Sequence, residues 1–220
     1  MEGITTSDLL GWTATCMTIL FFSNGYMEIQ KMNNPEEFAL LPYASMFLQS
    51  LAWLLYGTIN PLGPNSSMIL TNAVGLLLAS YYLVFLYKKF GPYIPSLLSN
   101  IVWTLAAGTV ILFWAMLLPL GPYTSHTALG RFATVLTLFC FGAPLSQLKG
   151  IIASKNTLGI SPSFVLMSTL VTLLWTAYGF SIEDPNVIIP NTAGLVLCLI
   201  QWALLAILGT PRPLKQLPGP

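Results

Sequence analysis

Long apolar runs alternate along the chain with short clusters of Pro, Gly, Asn and charged residues, such as KMNNPEE, NPLGPNSS and SIEDPN. A helix needs about 20 mainly apolar residues to cross a bilayer. Seven runs reach that length, at approximately 9–30, 39–59, 67–87, 97–118, 128–151, 163–181 and 187–208. The pattern therefore predicts an all-α membrane protein with seven transmembrane helices, numbered here as spans 1 to 7.

The composition supports a membrane environment and gives no reason to expect a nucleic-acid partner. Only 7% of the residues are charged, whereas a soluble domain carries about 25%. The eight Lys and Arg nearly balance the seven Asp and Glu, so no nucleic-acid partner is expected. The three cysteines lie inside apolar runs, which indicates buried side chains rather than disulfides. Span 1 lacks a basic leader and a small-residue cleavage site, so we expect it to be retained.

The distribution of positive charge predicts the orientation in the membrane. If the N-terminus lies outside, only Arg131 falls on the outer side. The inner loops and the tail then contain Lys31, Lys88, Lys89, Lys149, Lys155, Arg212 and Lys215. Positive charge concentrates on the cytosolic side of membrane proteins, so the sequence predicts an outer N-terminus and a cytosolic C-terminus. A plasma-membrane location is favoured, with an organellar membrane as the alternative.

The phrase Trp-x-x-Tyr-Gly occurs twice, as WLLYG at 53–57 and WTAYG at 175–179. Each copy is followed by Asn-x-x-Gly, as NAVG at 72–75 and NTAG at 191–194. The separation from Trp to Asn is 19 residues in the first copy and 16 in the second. The shared order, spacing and topology predict an internal repeat, which decides the architecture.

The repeat predicts three helices, then one, then three. Two three-helix units fused directly would face opposite ways in the membrane, and one extra span restores a common orientation. The predicted organisation is a first repeat at 9–90, a linker helix within 91–127, a second repeat at 128–209 and a short cytosolic tail at 210–220. The two bundles are expected to be parallel and related by an axis along the membrane normal.

The repeated Trp and Asn residues are candidates for a binding site. At about 1.5 Å per helical residue, Trp175 and Asn191 both lie roughly 10 Å below the outer surface, and Trp53 and Asn72 are placed equivalently. An indole face packs against the C–H face of a sugar, and an amide donates and accepts hydrogen bonds with hydroxyls. The alternative interpretation is an interfacial aromatic belt with Asn residues that hold helices together.

Three further features concern the course of the helices and the loops between them. Asp184 in EDPN is suited to cap span 7, with Pro185 in its first turn. Pro144 lies well inside span 5 and cannot donate to the carbonyl of Cys140, so a kink or hinge is expected there. Asn65-Ser66-Ser67 is a glycosylation sequon on the outer side, in a short loop.

Several chemistries have no counterpart in the sequence. No ionisable residue lies at mid-membrane depth, although proton- or ion-coupled carriers generally need one. No Gly-rich phosphate loop or catalytic constellation is present, so neither ATP nor enzymatic activity is expected. His126 is expected in an outer loop, exposed to solvent and without metal-ligand partners. No cofactor or metal is predicted.

The second half of the chain carries the stretches APLSQLKGIIASKNT and WTAYGFSIEDPNVIIPNTAG. With these motifs and the repeat, the chain resembles the SWEET sugar facilitators of the MtN3/saliva family over nearly its whole length. The resemblance implies a substrate pocket at Trp53, Asn72, Trp175 and Asn191, and a small cavity suited to a hexose rather than a disaccharide. It also implies an extracellular gate at Tyr56, Tyr178 and Asp184.

Members of the family also have a proline in each of four related helices, and these prolines act as pivots. The resemblance places hinges at Gly25, Pro42, Pro144 and Pro162, and Pro190 in span 7 is predicted as a further hinge. The chain departs from the family at Gly25, where SNGYM has glycine in place of the expected proline. Glycine keeps its N–H, so symmetric bending of the first repeat does not follow. Phe21 and Cys140, one turn earlier than Gly25 and Pro144, are expected to line the pocket.

The predicted function is a bidirectional monosaccharide uniporter, and three alternatives fit the sequence less well. A seven-span receptor is not built from duplicated three-helix units and needs larger inner loops. A PQ-loop amino-acid exporter would show Pro-Gln dipeptides and an intramembrane acid, and the sequence has neither. A luminal cargo receptor would need basic residues in its cavity, and none is expected there. The sequence leaves a homo-oligomer open, and it predicts two partners, a sugar substrate and the lipid bilayer.

Overall fold

The computed structural model describes residues 5–31, 33, 40–60, 65–117, 122–157 and 159–209. All regular structure in these ranges is helical, which confirms the predicted all-α fold. The helices are α1 (Thr6–Lys31), α2 (Leu40–Thr58), α3 (Ser66–Phe90), α4 (Leu97–Leu117), α5 (Pro122–Cys140), α6 (Gly142–Ser154), α7 (Pro162–Ser181) and α8 (Pro185–Leu208). The predicted tail at 210–220 lies outside the described residues.

Six predicted spans each correspond to one helix, and span 5 corresponds to two. Helices α5 and α6 meet in a turn at Phe141, whose N–H donates to Leu138 O rather than to the carbonyl four residues back. Pro144 follows in the first turn of α6. A proline there cannot donate to the carbonyl of Cys140, so the hydrogen-bond ladder is interrupted at this point.

Length and composition alone identify four described helices that could cross a membrane. These are α3, α7 and α8 over their whole length and α4 over Leu97–Trp114. The interruption at Phe141 divides span 5 into helices of 19 and 13 residues, the second too short to cross a bilayer alone. The count of seven spans stays a prediction from the sequence.

Six helices pack as a ring in the order α3, α1, α7, α8, α5, α2 and back to α3. Helix α4 lies outside this ring, against α5 and α2. The first half of the chain (α1–α3) therefore meets the second half (α5–α8) at two interfaces, α1 with α7 and α2 with α5. The space inside the ring is bounded by helices from both halves.

The glycines of the two Asn-x-x-Gly motifs allow an aromatic ring to pack against each helix. A Cβ atom on Gly75 would lie 3.2 Å from the Phe22 ring, and one on Gly194 would lie 3.1 Å from the Phe141 ring. Both separations are shorter than ordinary van der Waals contact. The same motif therefore supports the same packing in α3 and in α8.

The glycines of the two Trp-x-x-Tyr-Gly motifs have a similar role between helices. A Cβ atom on Gly57 would lie 3.3 Å from the Ile69 side chain, and one on Gly179 would lie 3.0 Å from the backbone nitrogen of Ile188. Glycine thus permits the last turn of α2 to approach α3 and the last turn of α7 to approach α8. This close approach positions the Tyr and Trp residues that precede each glycine.

Candidate functional site

A cavity of about 230 Å³ lies inside the ring of six helices. Its wall contains residues from α1, α2, α3, α5, α7 and α8, and none of the described residues that line it is Asp, Glu, Lys, Arg or His. The structure brings all four predicted substrate-binding residues to this wall: Trp53, Asn72, Trp175 and Asn191. The described part of the wall is uncharged and mixes aromatic rings with amide and hydroxyl groups.

Each indole is held by a threonine from the other half of the chain. Nε1 of Trp175 donates to Oγ1 of Thr18 at 2.9 Å, and Nε1 of Trp53 donates to Oγ1 of Thr137 at 3.1 Å. Each threonine in turn donates to the carbonyl four residues earlier, at 2.8 Å. Because both indole N–H groups are bonded within the protein, the tryptophans present their rings to the cavity.

Thr18 and Thr137 were missed in the sequence analysis. They are separated along the chain by the same number of residues as Asn72 and Asn191. An alignment of the two repeats that extended into α1 and α5 would have paired them. Both threonines lie within apolar runs, which indicate a membrane span but do not indicate a role for a single hydroxyl.

The two asparagines have equivalent hydrogen bonds. Nδ2 of Asn72 donates to Met68 O and Nδ2 of Asn191 donates to Val187 O, each at 2.8 Å. One N–H of each amide is therefore bonded to its own helix, which fixes the side chain. The carbonyl oxygen and the second N–H remain for a molecule in the cavity.

Of the two further residues expected at the pocket, only Phe21 lines it. Its ring centroid lies 5.1 Å from that of Phe164 at the start of α7. Cys140 is not among the described lining residues, and the neighbouring Phe141 is. Cys140 is the last residue of α5, and the turn that follows it brings the Phe141 ring to the wall.

The predicted gate residues meet at the end of the bundle where α2 and α7 end and α3 and α8 begin, called here the Asp184 end. The Tyr56 hydroxyl donates to Oδ2 of Asp184 at 2.7 Å and accepts from Nδ2 of Asn186 at 3.1 Å. Nδ2 of Asn65 donates to the Tyr178 hydroxyl. Each of these bonds joins the first half of the chain to the second.

Asp184 and Asn65 also cap helices, so each residue has two structural roles. Oδ1 of Asp184 accepts from the backbone N–H of Asn186 at 2.9 Å, and Oδ1 of Asn65 accepts from that of Met68 at 3.1 Å. The cap and the cross-half bond of each residue use different side-chain atoms. Asn65, considered in the sequence only as part of a sequon, is the equivalent of Asp184 in the first half.

Edge-to-face ring contacts connect the Asp184 end to the cavity wall. Trp53 and Tyr56 have ring centroids 5.5 Å apart at 89°, and Trp175 and Tyr178 are 5.4 Å apart at 88°. All four side chains belong to one buried core. Such contacts stabilise aromatic pairs by more than the burial of their apolar surface alone. Each tyrosine is therefore positioned by the tryptophan one turn before it.

The expectation that His126 lies in an exposed loop was wrong. Helix α5 begins at Pro122, so His126 lies in its first turns, half-buried, with its ring stacked on Tyr56 at 4.0 Å and 16°. Its Nε2 has no hydrogen-bond partner among the described residues. Burial lowers the pKa of His126 below its usual value, and the charge of Asp184 opposes part of that shift.

Among the predicted hinges, Pro190 has a clear structural environment. It lies buried inside α8 and lines the cavity. Proline has no N–H and leaves the carbonyl of Asn186 without its helical donor. The hydroxyl of Thr134 on α5 donates to that carbonyl at 3.0 Å. A hydroxyl from a neighbouring helix thus compensates for the missing bond.

The other predicted hinges lie within or at the ends of helices. Pro162 occupies the first turn of α7, after the cap residue Ser161. Gly25 lies within α1 and Pro42 near the start of α2. The side chains at positions 42 and 144 are outside the described part of the structure.

The chain matches the family model described as sugar efflux transporter for intercellular exchange, over residues 8–90 and 127–212. These segments lie on either side of α4. The sugar transporter SWEET1 of Rattus norvegicus is 29% identical over 195 residues, covering 85% of this chain and 84% of that protein. The bidirectional sugar transporter N3 of Medicago truncatula is 28% identical over 210 residues, covering 92% of this chain and 75% of that protein.

A solved structure of a eukaryotic SWEET transporter shares the fold. It superimposes with a TM-score of 0.70 at 22% sequence identity and covers 93% of this chain and 99% of that one. At this identity the likeness concerns the fold, which agrees with the all-α architecture described above.

Proposed function

The chain belongs to the family of sugar efflux transporters for intercellular exchange, and we propose that it carries a monosaccharide such as glucose down its gradient in either direction. It is an integral membrane sugar transporter. The observation that supports the finer proposal is the cavity wall, where two tryptophans and two asparagines form equivalent pairs and no described lining residue is charged.

The chemistry of the wall suits a sugar. The indole rings are oriented by Thr18 and Thr137, so their surfaces can pack against sugar C–H groups. Each Asn offers an acceptor and a donor to sugar hydroxyls. Both kinds of contact are preformed, which lowers the entropic cost of binding.

The size of the cavity favours one sugar ring. Its volume of about 230 Å³ lies below the roughly 300–1,000 Å³ of pockets for drug-sized ligands. A disaccharide would need the wall to expand.

The lack of charged side chains among the described lining residues supports uniport. Coupling to protons or ions generally uses intramembrane ionisable groups, and the described lining residues include none. In this proposal the two repeats, 9–90 and 128–209, rock around the cavity while the helix in 91–127 links them. The hinges are Gly25, Pro42, Pro144, Pro162 and Pro190.

The Asp184 end is proposed to be the extracellular gate, with the N-terminus outside and the C-terminus cytosolic in a plasma membrane. The charge distribution supports this orientation. The bonds of Tyr56 with Asp184 and of Asn65 with Tyr178 cross between the repeats. They have to break whenever this end opens to admit or release substrate.

Counterflow of radiolabelled glucose in proteoliposomes tests the proposal. Wild-type protein should exchange glucose, while Asn72→Ala and Asn191→Ala should lose most of the exchange because each removes a preformed polar partner. Asn100→Ala, exposed on α4, is the matched control. Equal exchange by wild type and both cavity variants would contradict the site, and accumulation driven by a pH gradient would contradict uniport.

A further inference from the structure

The cavity wall is closely equivalent in the two halves of the chain, but at two positions only the first half has a polar side chain. Ser50 on α2 and Thr172 on α7 both line the cavity and present hydroxyls at equivalent places. The residues immediately before them also line it, and they are Gln49 and Val171. A long amide in the first half thus faces the cavity where the second half has an apolar branched side chain.

The carboxamide of Gln49 has no hydrogen-bond partner among the described residues. Asn72 and Asn191 differ, because each already gives one N–H to its own helix. Gln49 therefore keeps both donors and its acceptor for the contents of the cavity. An amide without a partner in a mainly apolar wall is unfavourable, and a polar ligand would relieve that cost.

At the second unequal position the polar side chain is a hydroxyl that is already hydrogen-bonded within the protein. Thr71 lines the cavity where the second half has Pro190, but its hydroxyl bonds to Thr15 Oγ1 and to Ser67 O, both at 2.8 Å. It therefore has little capacity left for a ligand. Gln49 is the long polar side chain that makes the two described walls chemically different.

We propose that Gln49 sets the orientation of the bound sugar and determines which hydroxyl configurations are accepted. This inference rests on the proposed sugar transport. A site built only from matched Trp and Asn pairs would bind a sugar in two poses related by the axis between the repeats. A sugar lacks that symmetry, so one additional amide on one wall contacts a particular hydroxyl in one pose only.

The test compares glucose with its monodeoxy analogues as competitors of glucose counterflow in proteoliposomes. In wild-type protein one analogue, which lacks the hydroxyl bound by Gln49, should compete about tenfold or more weakly than glucose. In Gln49→Val, which makes α2 match α7 at this position, glucose should compete as weakly as that analogue. The analogue itself should be unchanged.

Two further variants separate chemistry from shape. Gln49→Met keeps a long side chain without the amide and should behave like Gln49→Val. The double variant Gln49→Val with Val171→Gln moves the amide to the opposite wall and should restore discrimination at the same hydroxyl, because the sugar binds in the other pose. Retained discrimination in Gln49→Met would overturn the proposal.

The outcomes also distinguish this inference from the proposed function. If wild-type protein exchanges glucose and Asn72→Ala does not, but Gln49→Val keeps the wild-type order of analogues, only the role of Gln49 is wrong. An equal loss of affinity for glucose and every analogue would likewise overturn it. If wild-type protein exchanges no sugar, the proposed function itself fails.

Discussion

The Tyr56 hydroxyl lies 2.7 Å from Oδ2 of Asp184 and donates a hydrogen bond to it, which joins the last turn of α2 to the start of α8. The other oxygen of Asp184 caps α8. A single carboxylate thus connects the two halves of the chain and stabilises the helix that carries Asn191. The contact between the two halves at this end and the position of α8 at the cavity are therefore physically linked.

Removal of this bond should loosen the Asp184 end. Hydrogen bonds to charged groups contribute about 1.5–3 kcal/mol, so Tyr56→Phe should shift the balance between closed and open forms by roughly 10- to 100-fold. Hydrogen–deuterium exchange at the first turns of α3 and α8 should become faster. Tyr93→Phe, whose ring is 71% exposed, is the control, and unchanged exchange in Tyr56→Phe would contradict the role of the bond.

The threonines that hold the indoles should affect binding more than folding. Thr137→Val leaves the Trp53 N–H without its acceptor, so the ring loses its fixed orientation and the KM for glucose should rise about tenfold. Thr58→Val is a matched control, because Thr58 also donates to the carbonyl four residues earlier but holds no indole. Equal KM values for the two variants, measured by glucose uptake, would show that the Trp53 bond is unimportant.

Asn65 should not carry a glycan, although it begins a sequon. Its Nδ2 donates to Tyr178 and its Oδ1 caps α3, and a glycan on Nδ2 would separate the two halves. Treatment of the expressed protein with peptide N-glycosidase F should leave its mobility on a gel unchanged. A shift that disappears in Asn65→Gln would contradict the bond to Tyr178. Asn65→Ala should cost about 1 kcal/mol through loss of the cap.

The motif glycines should be intolerant of larger side chains. A Cβ on Gly194 would lie 3.0 Å from Thr172 and 3.1 Å from Phe141, so Gly194→Ala should destabilise the protein by about 1–3 kcal/mol through overpacking. Gly150→Ala in α6 meets nothing within 4 Å and should be neutral or stabilising by up to about 1 kcal/mol. Thermal unfolding in detergent compares the two, and equal Tm values would argue against close packing at Gly194.

Acidification should weaken the closed Asp184 end through His126. Its pKa in the closed structure is lowered from 6.5 by burial, so the opened or unfolded chain binds the proton more readily. Stability from this group is therefore present above pH 6.5 and declines as the pH falls below it. Thermal unfolding should show that the Tm of the wild type falls between pH 8 and pH 5.5. The Tm of His126→Gln should fall less over the same range. An equal loss in both proteins would exclude His126 as its source.

The local patterns of the chain were sufficient to predict the helical architecture. Apolar runs predict helices because a bilayer requires internally hydrogen-bonded segments, and the duplicated Trp-x-x-Tyr-Gly and Asn-x-x-Gly phrases identify residues that the structure places on one cavity wall. Pro144 predicts an interruption of the helix near Phe141, because proline lacks an N–H whatever its surroundings.

Other features depend on contacts between residues that are distant in sequence. No local signal pairs Trp175 with Thr18 or Tyr178 with Asn65. The first bond forms only when α1 packs against α7, and the second only when the residue that caps α3 meets the last turn of α7. The start of α5 at Pro122 likewise decides that His126 is half-buried. The turn after α5 decides that Phe141, and not the expected Cys140, lines the described wall. The sequence by itself determined which segments are helical and which residues are duplicated. The tertiary structure alone decided which side chains meet, because hydrogen bonds and ring contacts act only over a few ångströms.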